Sequence, residues 1–418
     1  WQEVNAQLWF FSAKNHIKLL KPKEEHTLNT KFPNIETYGW TQARDQAWQQ
    51  TEEQSKEQAK EQAKDYMLKE SESRTPARVV LDHGERLLVV TEAGEAWLQR
   101  PAEIIGTQTN LPETLAVGDW LAVRQDSYTA NQVHFCEMLP RTAKFSRSAA
   151  GSKVKEQILA TNIDTVFLVQ SLNHDFNLKR LERYLIAAWE SGAQPVVVLT
   201  KADLCEDQVL LQKKVGQVRD VAIGVDIVAV SALNGTGLEA LNPYLRPGKT
   251  IVLLGSSGVG KSTLINTLLG KALMGTQDIR SDDSKGRHTT THRELVRLDN
   301  GAVLVDTPGM RSFSLWESEQ GIQQVFGDVE ALMASCQFSN CDHRKTTGCA
   351  VQKALKTGAL NASHYENWQK LQKEQKILAN KVKRKEKTLE RQQEHWRNKK
   401  PQRAQALRMA LYESSSQR

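Results

Sequence analysis

The chain has 418 residues, with 56 Lys and Arg against 49 Asp and Glu, and five cysteines. A chain of this length is expected to form two or three domains with a substantial core, and five cysteines are too few for a disulfide-stabilised scaffold. It contains no run of 18 apolar residues and no signal-peptide pattern near its start, so we expect a cytoplasmic protein without a membrane partner.

The positive charge is concentrated at the C-terminal end. Residues 361–418 contain 15 Lys and Arg but only 6 Asp and Glu, whereas the preceding residues are together close to neutral. A basic end on a near-neutral body favours a polyanion as the partner, and nucleic acid before a membrane surface.

Residues 1–73 are expected to form a peripheral N-terminal extension that is helical or flexible. The segment from Glu53 to Lys64 reads EQSK-EQAK-EQAK. This repeat places Glu and Lys three residues apart, which predicts a solvent-exposed helix and indicates no chemistry.

Short β-type segments separated by turn residues predict a small barrel over residues 74–141. The five segments are Arg78–Leu81, Arg86–Thr91, Glu95–Gln99, Asp119–Arg124 and Val133–Leu139. Five strands in this length fit an OB-fold, a barrel that often binds oligonucleotides. An SH3-like or another small barrel fits the count equally well.

Strands and helices alternate over residues 142–328, which predicts a doubly wound parallel sheet. The predicted strands cover residues 165–170, 195–199, 226–230, 251–254, 295–298 and 302–305. The predicted helices cover residues 178–191 and 208–220.

The segment GSSGVGKST follows the strand Ile251–Leu254 and matches the phosphate-binding loop GxxxxGK[ST]. Apolar residues continue after it at helical spacing, which gives the strand–loop–helix context that the motif requires. The loop N–H groups and the helix N-terminus would hold phosphate oxygens, Lys261 would reach the β- and γ-phosphates, and Ser262 would hold Mg²⁺. The predicted phosphate-binding residues are Gly255, Ser256, Ser257, Gly258, Val259, Gly260, Lys261, Ser262 and Thr263.

Two motifs earlier in the chain predict that the nucleotide base is guanine. Thr200-Lys201-Ala202-Asp203 ends a buried strand and has the TKxD pattern, in which the carboxylate accepts from the ring N–H and the exocyclic amine of guanine. Adenine lacks that pair of donors and would leave the carboxylate unpaired. Ser231-Ala232 follows the next strand and suits a backbone N–H bond to the guanine carbonyl oxygen.

A third strand ends in Asp306-Thr307-Pro308-Gly309, where Asp306 would reach Mg²⁺ through water and the Gly309 N–H would sense the γ-phosphate. The polar segment 286–291, GRHTTT, lies between the phosphate loop and this motif and is expected to act as a mobile switch. Thr290 is expected to complete the Mg²⁺ shell. A plain surface loop is the alternative interpretation of this segment.

Many GTPases carry a glutamine directly after DxxG, and this glutamine orients the attacking water. Met310 occupies that position here, so intrinsic hydrolysis is expected to be slow. His288 is the candidate water-positioning group because a neutral imidazole can accept a hydrogen bond from water. Lys261 and Thr290 are the other predicted catalytic residues, and the alternative is that His288 binds only RNA or solvent.

The order of these five GTPase elements is unusual. TKAD and SA precede the phosphate loop, and HTTT and DTPG follow it, whereas ordinary GTPases begin with the loop. We interpret this order as a circular permutation, which a fold tolerates where chain ends lie close together at the surface.

Four candidate metal ligands, Cys336, Cys341, His343 and Cys349, lie in a module predicted over residues 329–360. Their spacing is C-x4-C-x-H-x5-C, and three thiolates with one imidazole suit a closed, tetrahedral Zn²⁺ site. Such a site supplies folding energy to a small module. Unrelated buried cysteines beside a surface histidine are the alternative.

Residues 361–418 are predicted to form a basic helical tail. A sparse apolar stripe runs through Leu371, Leu378, Val382, Leu389 and Trp396, while KVKRKEK and RNKK fill the other faces. Binding to RNA phosphates is favoured over a merely solvated helix, because a possible OB barrel and a zinc module accompany the tail.

Taken together, the motifs resemble those of the RsgA (YjeQ) family of small ribosomal subunit biogenesis GTPases. The resemblance covers roughly residues 74–400 and rests on the order TKAD–SAL–GSSGVGKST–GRHTTT–DTPG, with a barrel before it and CQFSNCDHRKTTGC after it. It implies an OB-fold, a permuted GTPase domain and a helical zinc domain. It also implies a cytoplasmic role in late 30S maturation, with GTP hydrolysis stimulated by the 30S subunit. Residues 1–73 depart from the short basic leader usual in that family.

The resemblance also carries over ligands and partners. The family's GTP-binding positions correspond to residues 200–203 and 255–263, and its zinc ligands to the Cys336–Cys349 cluster. The implied cofactors are one structural Zn²⁺ per chain and Mg²⁺ with GTP. The implied partners are the 30S subunit with its 16S rRNA, and GTP or GDP. The protein is expected to be a monomer. Two other hypotheses are a GTP-gated RNA-binding assembly factor in which hydrolysis is incidental, and an ATPase or nucleotide kinase, which TKAD disfavours.

Overall fold

A computed structural model describes most of the chain and includes all three predicted folded parts. The described residues are 33–62, 74–102, 104–105, 112–126, 129, 131–149, 156–205, 207–270, 293–306, 315–316, 318–344 and 346–415. None of the helices formed by these residues combines the length and the apolar character needed to cross a bilayer.

Two helices, α1 (Pro33–Glu36) and α2 (Gln42–Gln62), form the described part of the N-terminal extension. Trp40 and Trp48 are buried, and Trp40 packs edge-on against Trp120 of the barrel with ring centroids 4.9 Å apart. The expectation of a peripheral segment is therefore wrong for residues 33–48. The predicted helix is present up to Gln62, where the described part of the repeat ends.

Five strands form a closed barrel of OB-like order. The strands of this region are β1 (Arg74–Asp82), β2 (Arg86–Thr91), β3 (Gly94–Gln99), β4 (Ile104–Ile105), β5 (Pro112–Glu113), β6 (Trp120–Gln125) and β7 (Gln132–Met138). β1 pairs with both β2 and β6, β3 pairs in parallel with β7, and β4 pairs with β5 in a separate two-stranded sheet. The OB-like prediction is confirmed. β1 begins four residues earlier than predicted, and Pro76 lies within it opposite Ala122.

An antiparallel hairpin connects the barrel to the next part of the chain. Its strands are β8 (Lys144–Ser148) and β9 (Glu156–Thr161). The first strand predicted in this region covers residues 165–170, so the hairpin is an element that was not predicted.

The predicted α/β region forms a doubly wound sheet. It contains β10 (Thr165–Ser171), α3 (Leu178–Ser191), β11 (Gln194–Thr200), α4 (Gln208–Val221), β12 (Asp226–Ala229), β13 (Thr250–Leu254), α5 (Lys261–Leu269), β14 (Arg293–Arg297) and β15 (Val303–Asp306), with short 3₁₀ turns at Ala202–Leu204 and Leu238–Leu241. The strand order is β12-β11-β10-β13-β15-β14, parallel except for β14. Successive residues of the buried strands face opposite sides, so Val252 and Leu254 join one core cluster and Ile251 and Leu253 the other.

The sheet does not end at β14. Leu81 and Asp82 of β1 pair with Glu294 and Arg293 of β14, so the barrel and the α/β sheet form one continuous sheet of eleven strands. Nearby, the buried guanidinium of Arg78 donates to Asn162 O at 3.3 Å and to Thr250 Oγ1 at 2.9 Å. The single side chain of Arg78 therefore connects the barrel, the segment before β10 and the strand β13.

Four helices complete the described fold: α6 (Glu319–Val325), α7 (Gly327–Ala334), α8 (Ala350–Thr357) and the 54-residue α9 (Ala362–Ser415). The boundary predicted between residues 328 and 329 falls inside α7. Leu371 of the predicted apolar stripe is fully buried, whereas Leu378 and Val382 are half-buried. The side chains of Leu389 and Trp396 lie outside the described residues.

Candidate functional site

The loop between β13 and α5 has the backbone that its glycines predict. Gly258 and Gly260 have φ values of 78° and 97°, in the left-handed region that favours glycine. A Cβ atom on Gly255 would lie 2.5 Å from the carbonyl oxygen of Val169 on β10. These glycines therefore allow a tight turn directly against the neighbouring strand.

Lys261, the first residue of α5, turns back over this loop. Its ammonium donates to the carbonyl oxygens of Gly255 at 2.7 Å and Ser256 at 2.6 Å. The positive charge thus lies against the first half of the loop, at the N-terminus of α5. This is the position in which a cation can meet an anion held by the loop.

The TKAD motif contacts the second half of the same loop. Thr200 Oγ1 donates to the Val259 carbonyl at 2.5 Å, and Lys201 Nζ donates to the Gly258 carbonyl at 2.8 Å. Lys201 has a left-handed φ of 59°, and Asp203 follows it, half-buried, in a 3₁₀ turn.

The segment around Ser231-Ala232 contacts the TKAD turn on one side and helix α5 on the other. The Ala202 N–H donates to the Val230 carbonyl at 3.1 Å, and Thr267 Oγ1 of α5 donates to the Ala232 carbonyl at 3.1 Å. Loops that follow β11, β12 and β13 therefore meet at the carboxyl edge of the parallel sheet, where open α/β sheets bind ligands.

The remaining predicted residues are placed only in part. Asp306 is the last residue of β15, beside β13, and its side chain lies outside the described residues. Gly309, His288 and Thr290 also lie outside them. Their predicted roles therefore stay predictions.

One side chain at this edge was missed by sequence reasoning. Ser256 Oγ donates to Asp175 Oδ2 at 2.7 Å, and Asp175 lies in the loop between β10 and α3. The sequence signal that could have indicated this contact is a carboxylate shortly after the buried strand β10. In the structure β10 is the neighbour of β13, so the loops that follow the two strands lie side by side.

The four predicted zinc ligands come together. Their ligand atoms all lie within 4.8 Å of one another. Cys336 Sγ lies 3.4 Å from His343 Nδ1 and 3.9 Å from Cys349 Sγ, and Cys349 Sγ lies 3.8 Å from His343 Nδ1. Zn–S bonds of about 2.3 Å in a tetrahedron place two sulfurs roughly 3.8 Å apart, so both the donor set and the spacing fit Zn²⁺.

Local structure holds these ligands in place. Cys349 caps α8 and accepts from the Gln352 N–H, while Gln352 Nε2 donates to the His343 carbonyl at 2.8 Å. Asp342 Oδ1 accepts from the Arg344 N–H at 2.9 Å and from Thr346 Oγ1 at 2.8 Å. The ligand loop is thus ordered by its own hydrogen bonds.

Comparison with known proteins identifies the family. The sequence model of the family described as RsgA GTPase matches residues 138–316, and that described as 50S ribosome-binding GTPase matches residues 250–401. The small ribosomal subunit biogenesis GTPase RsgA 1 of Listeria innocua is 48% identical over 295 residues, which are 70% of this chain and 81% of that protein. The chain belongs to the RsgA family.

Other RsgA relatives agree. The RsgA 2 protein of Vibrio parahaemolyticus is 45% identical over 299 residues, which are 72% of this chain and 79% of that protein. The crystal structure of YjeQ from Thermotoga maritima matches with a TM-score of 0.52 and 27% identity, covering 72% of this chain and 97% of that one. As an RsgA-family protein the chain is a GTPase, and the predicted fold class is confirmed.

Proposed function

We propose that this GTPase binds the 30S ribosomal subunit during its late maturation and that the subunit stimulates GTP hydrolysis. The observation that carries the proposal is the convergence of TKAD, Ser231-Ala232 and the phosphate loop at one sheet edge, linked by the 2.5 Å bond from Thr200 to Val259. The proposed partner follows from the names of the RsgA relatives.

Guanine is proposed to bind over the TKAD loop. The Asp203 carboxylate accepts from the two guanine donors, and the Lys201 stem packs on the base. A backbone N–H of Ser231-Ala232 donates to the guanine carbonyl oxygen. Adenine would leave the Asp203 carboxylate without its donors, which disfavours ATP.

The phosphates are proposed to lie in the Gly255–Thr263 loop, with Lys261 against the β- and γ-phosphates. Ser262 and Thr290 offer hydroxyl oxygens, the hard ligands that suit Mg²⁺, and Asp306 would contact the ion through water. Mg²⁺ held there would supply positive charge to the phosphate oxygens. The Gly309 N–H senses the γ-phosphate.

The attacking water is proposed to be positioned by His288, because Met310 replaces the glutamine found in many GTPases. The 30S subunit orders segment 286–291 and brings His288 to the water. Slow turnover by the free protein and fast turnover on the subunit follow from this arrangement.

Binding to 16S rRNA is proposed to use the basic helix α9 together with the barrel and the zinc module. The exposed cations on the described part of α9 are Lys370, Lys373, Lys376, Lys381, Lys383, Arg384, Lys385, Lys387 and Arg391. Such a row of cations suits RNA phosphates. Zn²⁺ held by the Cys336–Cys349 cluster stabilises the module at the base of this helix, and the protein acts as a cytoplasmic monomer.

The deciding experiment measures the rate of GTP hydrolysis alone, with purified 30S subunits and with purified 50S subunits. The 50S arm is needed because one matching family is described by 50S binding. We expect strong stimulation by 30S and little by 50S. If 30S binds in a GTP-dependent manner without raising turnover, the chain is instead a GTP-gated RNA-binding factor in which hydrolysis is incidental.

A further inference from the structure

The phosphate loop has a second side-chain partner at this sheet edge, in the loop that follows β10, the strand between β11 and β13. Ser256 Oγ donates to Asp175 Oδ2 at 2.7 Å. Ser256 is the second residue of GSSGVGKST, and β10, which leads to Asp175, pairs directly with β13, which leads to Ser256. Two neighbouring strands therefore end in loops that are joined by this bond.

Asp175 is itself held by α3. Arg180 in the first turn of α3 contacts both carboxylate oxygens, at 3.0 Å and 2.7 Å, which is the bidentate geometry of a strong ion pair. The Asp175 N–H donates to Asn173 Oδ1 at 3.1 Å. Partial burial would raise the pKa of Asp175, but the bonds from Ser256 and Arg180 outweigh it and lower the pKa. The acceptor that faces Ser256 is therefore an ionised carboxylate.

The other side of α3 is fixed by the C-terminal helix. Arg183 contacts both carboxylate oxygens of Glu374 on α9, at 2.8 Å and 3.0 Å. Glu182, which is buried, contacts His364 of α9 at 2.5 Å. Because α3 is held along its length, Asp175 and Arg180 form a rigid support for the loop.

The contact acts on the half of the loop that TKAD does not touch. Thr200 and Lys201 bind the carbonyls of Val259 and Gly258, in the second half. The first half has Ser256, whose carbonyl accepts from Lys261 Nζ at 2.6 Å and whose hydroxyl is bound by Asp175. Without the bond from the Ser256 hydroxyl to Asp175, the backbone of the first half loses one of its side-chain contacts. The Ser256 carbonyl, which accepts from Lys261, is then held less firmly.

We propose that Asp175 is a positioning residue of the nucleotide site: clamped by Arg180, it holds Ser256 and keeps the first half of the loop in its phosphate-binding conformation. This inference rests on the proposed assignment of the loop to the phosphates. GDP and GTP use the same loop, so losing the contact weakens both alike. Interactions that favour ground state and transition state equally change KM and leave kcat nearly constant.

The test is a double-mutant cycle on the full chain. The affinity for a fluorescent GDP analogue and the KM and kcat for GTP are measured for the wild type, Asp175→Ala, Ser256→Ala and the double variant. Each single change should weaken GDP binding about 10-fold, the size expected for a hydrogen bond to a charged group. The double variant should bind no more weakly than either single one, and kcat should change less than about twofold.

Two further variants separate positioning from folding. Asp175→Asn keeps an oxygen acceptor for Ser256 and should bind GDP better than Asp175→Ala, even though the ion pair with Arg180 is lost. Asp207→Ala removes a carboxylate that caps α4, accepting from the Val209 N–H at 2.8 Å, and should leave GDP affinity unchanged.

Wild-type GDP affinity in Ser256→Ala, or additive losses in the double variant, would overturn the role of Asp175. If Asp175→Ala fails to fold, Ser256→Ala and Asp175→Asn still decide the question. Lys261→Ala tests the assignment of the loop to the phosphates. If Lys261→Ala binds GDP as well as the wild type does, the proposed phosphate site is wrong. If Lys261→Ala loses GDP binding while Ser256→Ala binds normally, only the role of Asp175 is rejected.

Discussion

Thr200 donates its hydroxyl hydrogen to the carbonyl oxygen of Val259 at 2.5 Å, although the two residues are 59 positions apart in the sequence. Thr200 opens the TKAD motif and Val259 lies in the phosphate loop. With the adjacent bond from Lys201 to Gly258, this contact fixes the spacing between the two proposed ends of the nucleotide site.

The identity of the base should depend on Asp203. Replacing it with asparagine gives an amide that can no longer accept from both guanine donors but can donate to the ring carbonyl of xanthine. We expect Asp203→Asn to lose about 100-fold or more in GDP affinity and to gain affinity for xanthosine diphosphate. Competition binding with GDP, XDP and ADP measures this.

The matched control is Asp207→Asn, four residues later, because asparagine also serves as a helix N-cap. It should keep wild-type preference for GDP. Equal affinity of the wild-type protein for ADP and GDP would refute the assignment of guanine to this loop.

Stimulated hydrolysis should require His288. His288→Ala is expected to lose most of the rate enhancement by 30S subunits, while GTP affinity and 30S binding change little, because the imidazole is proposed to contact only the attacking water. Single-turnover hydrolysis with saturating 30S gives the rate, and co-sedimentation gives the binding. His292→Ala, which removes a nearby histidine, should keep the enhancement. If His288→Ala keeps the full stimulation by 30S subunits, His288 does not position the water. The backbone, a bound cation or the ribosome must then do so.

The metal cluster should hold about one Zn²⁺ per chain. Cys341→Ser, or removal of zinc with a chelator, should make the segment around residues 336–349 sensitive to protease and leave GDP binding nearly intact, because the phosphate loop lies in another part of the fold. Metal analysis and limited proteolysis report the two effects. Cys136→Ser, in the barrel, is the control and should keep its zinc. Purified protein without zinc would contradict the prediction.

The docking of α9 on α3 should weaken at alkaline pH. His364 contacts Glu182 at 2.5 Å and Asp328 at 3.2 Å. Burial alone would lower the pKa of this imidazole, but hydrogen bonds and charges from Asp328 and Glu182 raise it to about 9. Since the folded pKa lies above the ordinary value of 6.5, the stabilisation is complete below pH 6.5 and is lost as pH rises through about 9.

Chemical unfolding of wild type and His364→Gln between pH 6 and 10 measures this effect. The difference in the free energy of unfolding should be largest at pH 6, up to about 3 kcal/mol, and should shrink as the pH approaches 10. Lys179→Gln, which removes an exposed ion pair with Glu366, should show no such trend. A difference that stays constant over this range would mean that the imidazole is not charged in the folded protein.

Much of the candidate nucleotide site could be located from the sequence because its motifs are runs of contiguous residues. GSSGVGKST and TKAD each specify a local backbone, and the apolar segments before them specify buried strands, so the sheet edge follows from the topology. The four zinc ligands lie within one short segment, and local spacing is enough to bring them together.

Contacts between distant segments could not be predicted in this way. Trp40 is buried against Trp120 of the barrel and Trp48 packs against Trp40, whereas the polar repeat that follows them in the sequence indicated only a solvated helix. Asp175 precedes Ser256 by 81 residues, and only the pairing of β10 with β13 makes them neighbours. Pair contacts of this kind depend on the tertiary arrangement, which local propensity does not encode.

The pairing of β1 with β14 also determines what the barrel can do to the rest of the molecule. Residues 271–292 connect α5 to β14, and β14 begins at Arg293, opposite Asp82 of the barrel. The connection therefore starts at α5, the helix that follows the phosphate loop, and ends at β14, the strand that pairs with β1 of the barrel. A partner that binds the barrel therefore binds the same continuous sheet whose strand β14 directly follows the segment containing His288.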